Sequence, residues 1–188
     1  MNKQPTTLCI AGASGLVGSH IVQAALAAGY RVNATLRDAT DETKIHYLNA
    51  LPGAAERLAL FSADMTDSHS FDAAMQGADG VFIACLVPRY YGMDGTPATT
   101  MDDEQGWREI VRPTADGCLA IMQAAARAGT PNVVICSSTS STNPPVPIAV
   151  KNELDAVSDA EDQMRRGKYT AAEKTVMERE ATAFAIAN

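Results

Sequence analysis

One stretch near the start constrains this chain more than any other: Leu8-Cys9-Ile10-Ala11-Gly12-Ala13-Ser14-Gly15-Leu16-Val17-Gly18-Ser19-His20. An apolar run stops at a glycine, and a helix of small residues begins within one turn. The spacing describes a strand, a tight turn and a helix N-terminus. Exposed N–H groups and the positive end of the helix dipole there favour an anion of the pyrophosphate kind. Gly12 makes the turn, Gly15 lets the backbone approach phosphates, and Gly18 lets the helix pack on the strand. Glycine spacing alone is a weak signal; its place between a strand and a helix is the context that the chemistry requires. The candidate phosphate-binding residues are Gly12, Ser14, Gly15, Leu16, Val17 and Gly18. The plainer alternative is that these glycines only turn the chain.

The rest of the sequence repeats the strand–helix alternation. Strands are predicted at residues 6–11, 31–36, 57–61, 80–85 and 132–136, and helices at 15–28, 41–51, 68–75, 104–128 and 169–187. Gly29 is a plausible C-cap for the first helix, and Pro52-Gly53 closes the second. Gly80-Val81-Phe82-Ile83-Ala84-Cys85 is a continuous apolar run, as expected of a parallel strand covered on both faces. Pro113 should kink or split its helix. A loop at 87–103 is far longer than ordinary connections, which marks it as a functional lid or a mobile segment. A charged, weakly ordered stretch is expected ahead of the last helix. The pattern predicts an α/β Rossmann-type, doubly wound parallel sheet with helices on both faces, its nucleotide at the carboxyl ends of the strands. The domain expectation is one NAD(P)-binding unit over residues 1–188.

At 188 residues the chain can bury a real core, and its 46% hydrophobic and 20% charged content is that of a globular protein. A net charge of −7 argues against nucleic acid and anionic membranes. No apolar run approaches a transmembrane span. The N-terminus reads as a strand, without a basic, apolar, cleavable leader. Cys9, Cys85, Cys118 and Cys136 form no CxxC pair and read as reduced thiols of a cytoplasmic protein. His20, His46 and His69 lack metal-ligand spacing, so no metal is expected.

The end of the second strand addresses the nucleotide. An acidic residue there favours NAD, whereas an arginine accommodates the 2′-phosphate of NADP. Leu36-Arg37-Asp38 places the arginine first, and its forked donors suit a phosphate. Lys44 offers a second positive charge. The alternative is a surface arginine paired with Asp38. Asp64-Met65 follows the third strand and is a candidate adenine contact, or else a solvated helix-capping acid. Ala84 and Cys85, ending the fourth strand, complete the cofactor-binding candidates, and NADP(H) is the expected cofactor.

Together with Arg112-Pro113-Thr114-Ala115-Asp116-Gly117 and Ser137-Ser138, these motifs resemble the extended short-chain dehydrogenase/reductases, nearest the dihydroflavonol reductase, cinnamoyl-CoA reductase and aldehyde reductase branch. The resemblance covers essentially the whole chain. It implies a catalytic Ser, Tyr and Lys: the tyrosine protonates the carbonyl oxygen, the lysine lowers the tyrosine pKa, and the serine holds the substrate oxygen. Ser138 aligns best as the serine, with Ser140 behind it; a Ser/Thr-rich turn without chemistry is the alternative. The implied activity is NADPH-dependent reduction of an aldehyde or ketone, with an aromatic substrate as one option. Pro88, Tyr90, Tyr91 and Trp107 would line the pocket, or simply pack. A small-molecule carbonyl substrate is the expected partner, without nucleic acid or membrane. A homodimer through the fourth and fifth long helices is implied by the resemblance. Alternatives are an inactive NADP-binding sensor or scaffold, and an NAD-dependent sugar-nucleotide epimerase or dehydratase, against which Arg37 argues.

The chain departs from that pattern twice. The family has Tyr-x-x-x-Lys, yet here Tyr169 and Lys174 are five apart, ~140° round an ideal helix. Glu173 holds the lysine position counted from Tyr169, and Thr170 the tyrosine position counted from Lys174. Three readings stay open: the helix begins after Tyr169, a π-bulge restores convergence, or the catalytic pair is lost. The second departure is length. The family runs on past Asn188, so a fragment or a minimal form is expected, lacking the C-terminal substrate lobe.

Overall fold

The computed structural model describes residues 6–152 and 156–188. Positions 153–155 of the expected weakly ordered stretch lie outside the described residues. The chain divides into two compact units, Met1–Cys85 with Ala120–Cys136, and Leu86–Leu119 with Ser137–Asn188.

The first unit holds a five-stranded sheet: β1 (Thr7–Ala11), β2 (Arg31–Leu36), β3 (Leu58–Ser62), β4 (Gly80–Ile83) and β5 (Val133–Ile135). Its order is β3-β2-β1-β4-β5, and every pairing is parallel. Leu8 pairs with Val32 on one side and Gly80 on the other. This is the expected doubly wound arrangement, with β1 central. Cys9, Ile10 and Ala11 are wholly buried, as a strand covered on both faces requires.

Helix α1 (Leu16–Ala27) follows β1 directly and stops at Gly29. That glycine takes φ +88°, and its N–H and that of Tyr30 reach back to the carbonyls of Leu26 and Ala25. Helix α2 (Glu42–Asn49) is capped by Asp41, whose carboxylate accepts from the Thr43 N–H. Short helices α3 (Ala54–Arg57) and α4 (Asp72–Met75) complete the connections up to β4. A core of Ile10, Val22, Leu26, Val32 and Leu48 joins α1 and α2 to the sheet. Burying each such side chain contributes roughly 1.5–3 kcal/mol relative to leaving it exposed.

The second unit is largely helical. The single helix expected at 104–128 is three pieces: α5 (Asp103–Gly106), a π turn (Trp107–Val111) and α6 (Arg112–Ala128), whose residues are shared between the two units. The Arg112 N–H bonds back five residues to the Trp107 carbonyl. Pro113 explains the break: it offers no N–H, and its ring crowds the preceding turn, which widens into the π turn. Helices α7 (Ala160–Arg165) and α8 (Tyr169–Ala187) follow, and α8 packs on the π turn, α7 and a 3₁₀ turn at Thr139–Thr142.

The segment expected as a functional lid or a mobile segment carries contacts of its own. Tyr91 bridges Pro97 in antiparallel fashion, the Gly92 N–H reaches the Thr96 carbonyl at 2.8 Å, and Glu109 Oε2 accepts from the Met93 N–H at 2.9 Å. Among the described residues no helix is long and apolar enough to cross a membrane.

Candidate cofactor site

The glycine turn sits at the carboxyl end of β1. Gly12 has φ +86°, and its N–H and that of Ala13 both donate to the Thr35 carbonyl on β2. A Cβ on Gly12 would come within 2.7 Å of Cys85 Cβ, so Cys85, two residues past β4, presses directly on the turn. A Cβ on Gly18 would be driven into the Gly12 carbonyl, whereas one on Gly15 meets that oxygen only at 3.4 Å. Gly12 and Gly18 are therefore structural, and the face of Gly15 is open. That difference separates the two glycines that shape the turn from the one whose face is open.

Gly15 is the N-cap of α1, with no side-chain cap and no acidic residue in the first turn. The positive end of the helix dipole is left uncompensated by the protein's own carboxylates. Leu16 and Val17 are exposed, and Ser14 is held from behind: the Tyr47 hydroxyl on α2 donates to its carbonyl at 3.0 Å. Tyr47 was not singled out by the sequence, where it reads as one more residue of an amphipathic helix.

Arg37 is exposed directly after β2 and, among the described residues, is without an ion-pair partner. Asp38 does not pair with it; its carboxylate accepts from the Thr40 N–H and hydroxyl, which holds it below the usual carboxylate range. Lys44 pairs with Asp41 at 2.9 Å. Asp64 accepts from the N–H and hydroxyl of Thr66, and these bonds, aided by the Arg37 charge, lower its pKa. The helix-capping acid beyond β3 is Asp67, not Asp64. Met65 is half-buried beside it. Ala84 donates its N–H to the Ala11 carbonyl at 2.9 Å, which carries β4 one residue further along β1. Burial, with Cys85 adding to it, pushes the Cys9 thiol up to about 12, an inert thiol beneath the turn.

Ser138, Tyr169 and Lys174 all belong to the second unit. Ser138 is exposed and caps the 3₁₀ turn, its hydroxyl accepting from the Ser140 N–H. The Ser140 hydroxyl is buried without a partner among the described residues. Helix α8 begins at Tyr169 itself and runs without a π-bulge, which corrects two of the open readings. The molecule's π turn is Trp107–Val111 instead.

Tyr169 and Lys174 donate to different partners. The Tyr169 ring lies over Gly106, where a Cβ would meet it at 2.5 Å. Its hydroxyl donates to Asp103 Oδ1 at 2.8 Å and stands 3.2 Å from the Met101 carbonyl. Burial and the Asp103 carboxylate push the tyrosine up to about 12. Lys174, 2% exposed, donates from Nζ to the Leu86 carbonyl. Glu173 between them is wholly buried, and its Oε2 accepts from the Thr114 hydroxyl at 2.9 Å.

A parallel sheet of order 3-2-1-4-5 with an open glycine turn at its central strand defines a dinucleotide-binding protein of the doubly wound class. The chain belongs to the NAD(P)H-binding family, whose model matches residues 12–182. It is 36% identical over 192 residues to the dihydroflavonol 4-reductase of Hordeum vulgare, covering 100% of this chain and 50% of that one. It is 37% identical over 144 residues to a bifunctional dihydroflavonol 4-reductase/flavanone 4-reductase of Pyrus communis, covering 76% of this chain and 38% of that one. Among solved structures, alfalfa (Medicago sativa) vestitone reductase superposes with a TM-score of 0.73 at 29% identity, over 97% of this chain and 53% of that one. The chain thus spans about half or less of the length of the curated relatives it matches.

Proposed function

We propose that this chain is an NADPH-dependent reductase that transfers hydride to the carbonyl carbon of an aldehyde or ketone. The observation that carries the reading is the glycine turn: Gly12 and Gly18 closed by backbone, Gly15 open, and an uncapped helix N-terminus behind them. Bound there, NADPH would supply the hydride. The first unit's own residues hold the pyrophosphate on the N–H groups around Gly15, and Arg37 takes the 2′-phosphate, with Lys44 close by in sequence. Asp64, Met65, Ala84 and Cys85 border the adenine and nicotinamide halves in the same reading. A yeast reductase of similar fold, methylglyoxal/isovaleraldehyde reductase Gre2, has been solved with NADPH, at TM-score 0.74 and 18% identity.

The proton for the product alkoxide falls to the Ser138, Tyr169 and Lys174 set. For that role Tyr169 has to exchange Asp103 for the substrate oxygen, because its hydroxyl is already committed as a donor. A second reading, NADP binding without turnover, is favoured by one observation: Tyr169 and Lys174 point to different partners.

The two are separated by following NADPH oxidation with a panel of aldehydes and ketones. Turnover that is lost in both Tyr169→Phe and Lys174→Ala supports the reductase and its site. NADPH binding with no turnover on any carbonyl selects the second reading, and turnover indifferent to both substitutions removes the assigned residues.

A further inference from the structure

Glu173 is a buried carboxyl in the second unit with no part in the proposed hydride transfer. It is 0% exposed, yet only one of its oxygens is satisfied: Oε2 accepts from Thr114, and Oε1 is without a hydrogen-bond partner among the described residues. A buried carboxylate with an orphan oxygen is costly, and the ordinary relief is to bind a proton. The neighbourhood accommodates that proton. Thr114 Oγ1 stands 2.9 Å from Glu173 Oε2 and 3.5 Å from the Ile110 carbonyl. A protonated Oε2 donates to the threonine oxygen, and the threonine hydrogen turns to Ile110, so one relay of two bonds replaces a single one. Two cations act on the group through their charge. Lys174, beside it on α8, directs its Nζ to the Leu86 carbonyl, and the main-chain N–H and guanidinium charge of Arg89 both act to lower the carboxyl pKa.

We propose that Glu173 and Lys174 form a pH-sensitive switch: a protonated Glu173 carboxyl leaves the Lys174 ammonium on the Leu86 carbonyl, and loss of that proton draws a buried cation onto the carboxylate. The inference does not depend on the reductase reading, because it concerns proton occupancy in the folded chain alone. Burial as the dominant cause, opposed by Thr114, Lys174 and Arg89, sets the Glu173 transition at about 7 against an ordinary 4.5. The folded chain then binds a proton that the unfolded chain releases, so the stabilisation is complete below the unfolded pKa and is lost as pH rises through the folded one.

The test is infrared spectroscopy of the whole chain with isotope-labelled glutamate, in the wild type, Glu173→Gln and Lys174→Met. The expected result is a protonated-carboxyl band at about pH 5 that persists towards neutrality, fades by about pH 8, and is missing in Glu173→Gln. Lys174→Met, which removes that ammonium, moves the fade to higher pH. Urea unfolding of the same proteins gives a midpoint that falls between about pH 5 and pH 8 in the wild type and is flatter in Glu173→Gln. A wild type with no Glu173 band near pH 6 overturns the protonated state, and a fade unmoved by Lys174→Met overturns the coupling. Should Lys174→Met fail to fold, Thr114→Val reads the same relay: its loss of the threonine partner must shift the fade, and an unchanged fade counts against the proposal.

Discussion

Tyr169 gives its hydroxyl hydrogen to Asp103 Oδ1 at 2.8 Å, and the helix that begins at this tyrosine carries Lys174 round to a different partner, the Leu86 carbonyl. Burial and the Asp103 carboxylate both oppose tyrosinate formation, so Tyr169 titrates at about 12. Asp103→Asn removes the facing negative charge and leaves the burial. The expected outcome is a lower Tyr169 titration midpoint that still exceeds the ordinary value of 10. Tyrosinate absorbance, with Tyr169→Phe identifying the signal, checks it; an unchanged midpoint contradicts the assigned cause.

The three glycines of the turn separate by consequence. Gly18→Ala drives a methyl into the Gly12 carbonyl, and Gly12→Ala adds a side chain at φ +86° against Cys85, so both should lose thermal stability. Gly15→Ala meets only an ordinary contact at 3.4 Å and should keep the fold. Its methyl occupies the face offered to phosphate, so NADPH binding should weaken about tenfold or more, equivalent to ~1.4 kcal/mol. Circular dichroism melting and calorimetric titration, run in parallel on the three variants, distinguish these effects.

Arg37→Ala should weaken NADPH and leave NADH nearly unaffected. A hydrogen bond to a charged group contributes about 1.5–3 kcal/mol, which corresponds to roughly tenfold to a hundredfold in affinity. Equal loss for both nucleotides would show that Arg37 acts on the turn and not on the 2′-phosphate.

Tyr47→Phe removes the hydroxyl that holds the Ser14 carbonyl at 3.0 Å. The expected cost is about 1 kcal/mol of stability, the usual net value of one such bond. A larger drop in NADPH affinity than in stability would show that the bond orients the turn, and chemical denaturation paired with titration reads both.

The sheet was legible because each parallel strand is a short apolar run bounded by turns, and 31–36 and 169–187 matched the observed β2 and α8 at both ends. The glycine turn was legible because its spacing sits between a strand and a helix. The π turn was not, although Pro113 pointed to trouble: the missing N–H fixes where the helix fails, but not whether it bends or widens. Tyr47 was invisible because its function is one hydroxyl reaching across from another helix. Glu173 was misleading for a related reason. Residues 172–177 of α8 are buried on nearly every side, so no polar face marked where the buried carboxylate sits. Spacing placed Tyr169 and Lys174 ~140° apart on an ideal helix but left their convergence open, and the separate partners, Asp103 and Leu86, required the tertiary packing.

The most direct test of the central claim is a paired calorimetric titration of this chain with NADPH and NADH, repeated on Gly15→Ala. The expected result is one nucleotide site, NADPH bound at least about tenfold more tightly than NADH, and loss of that site in Gly15→Ala. Absence of binding by either nucleotide, or NADPH affinity untouched by Gly15→Ala, would contradict it.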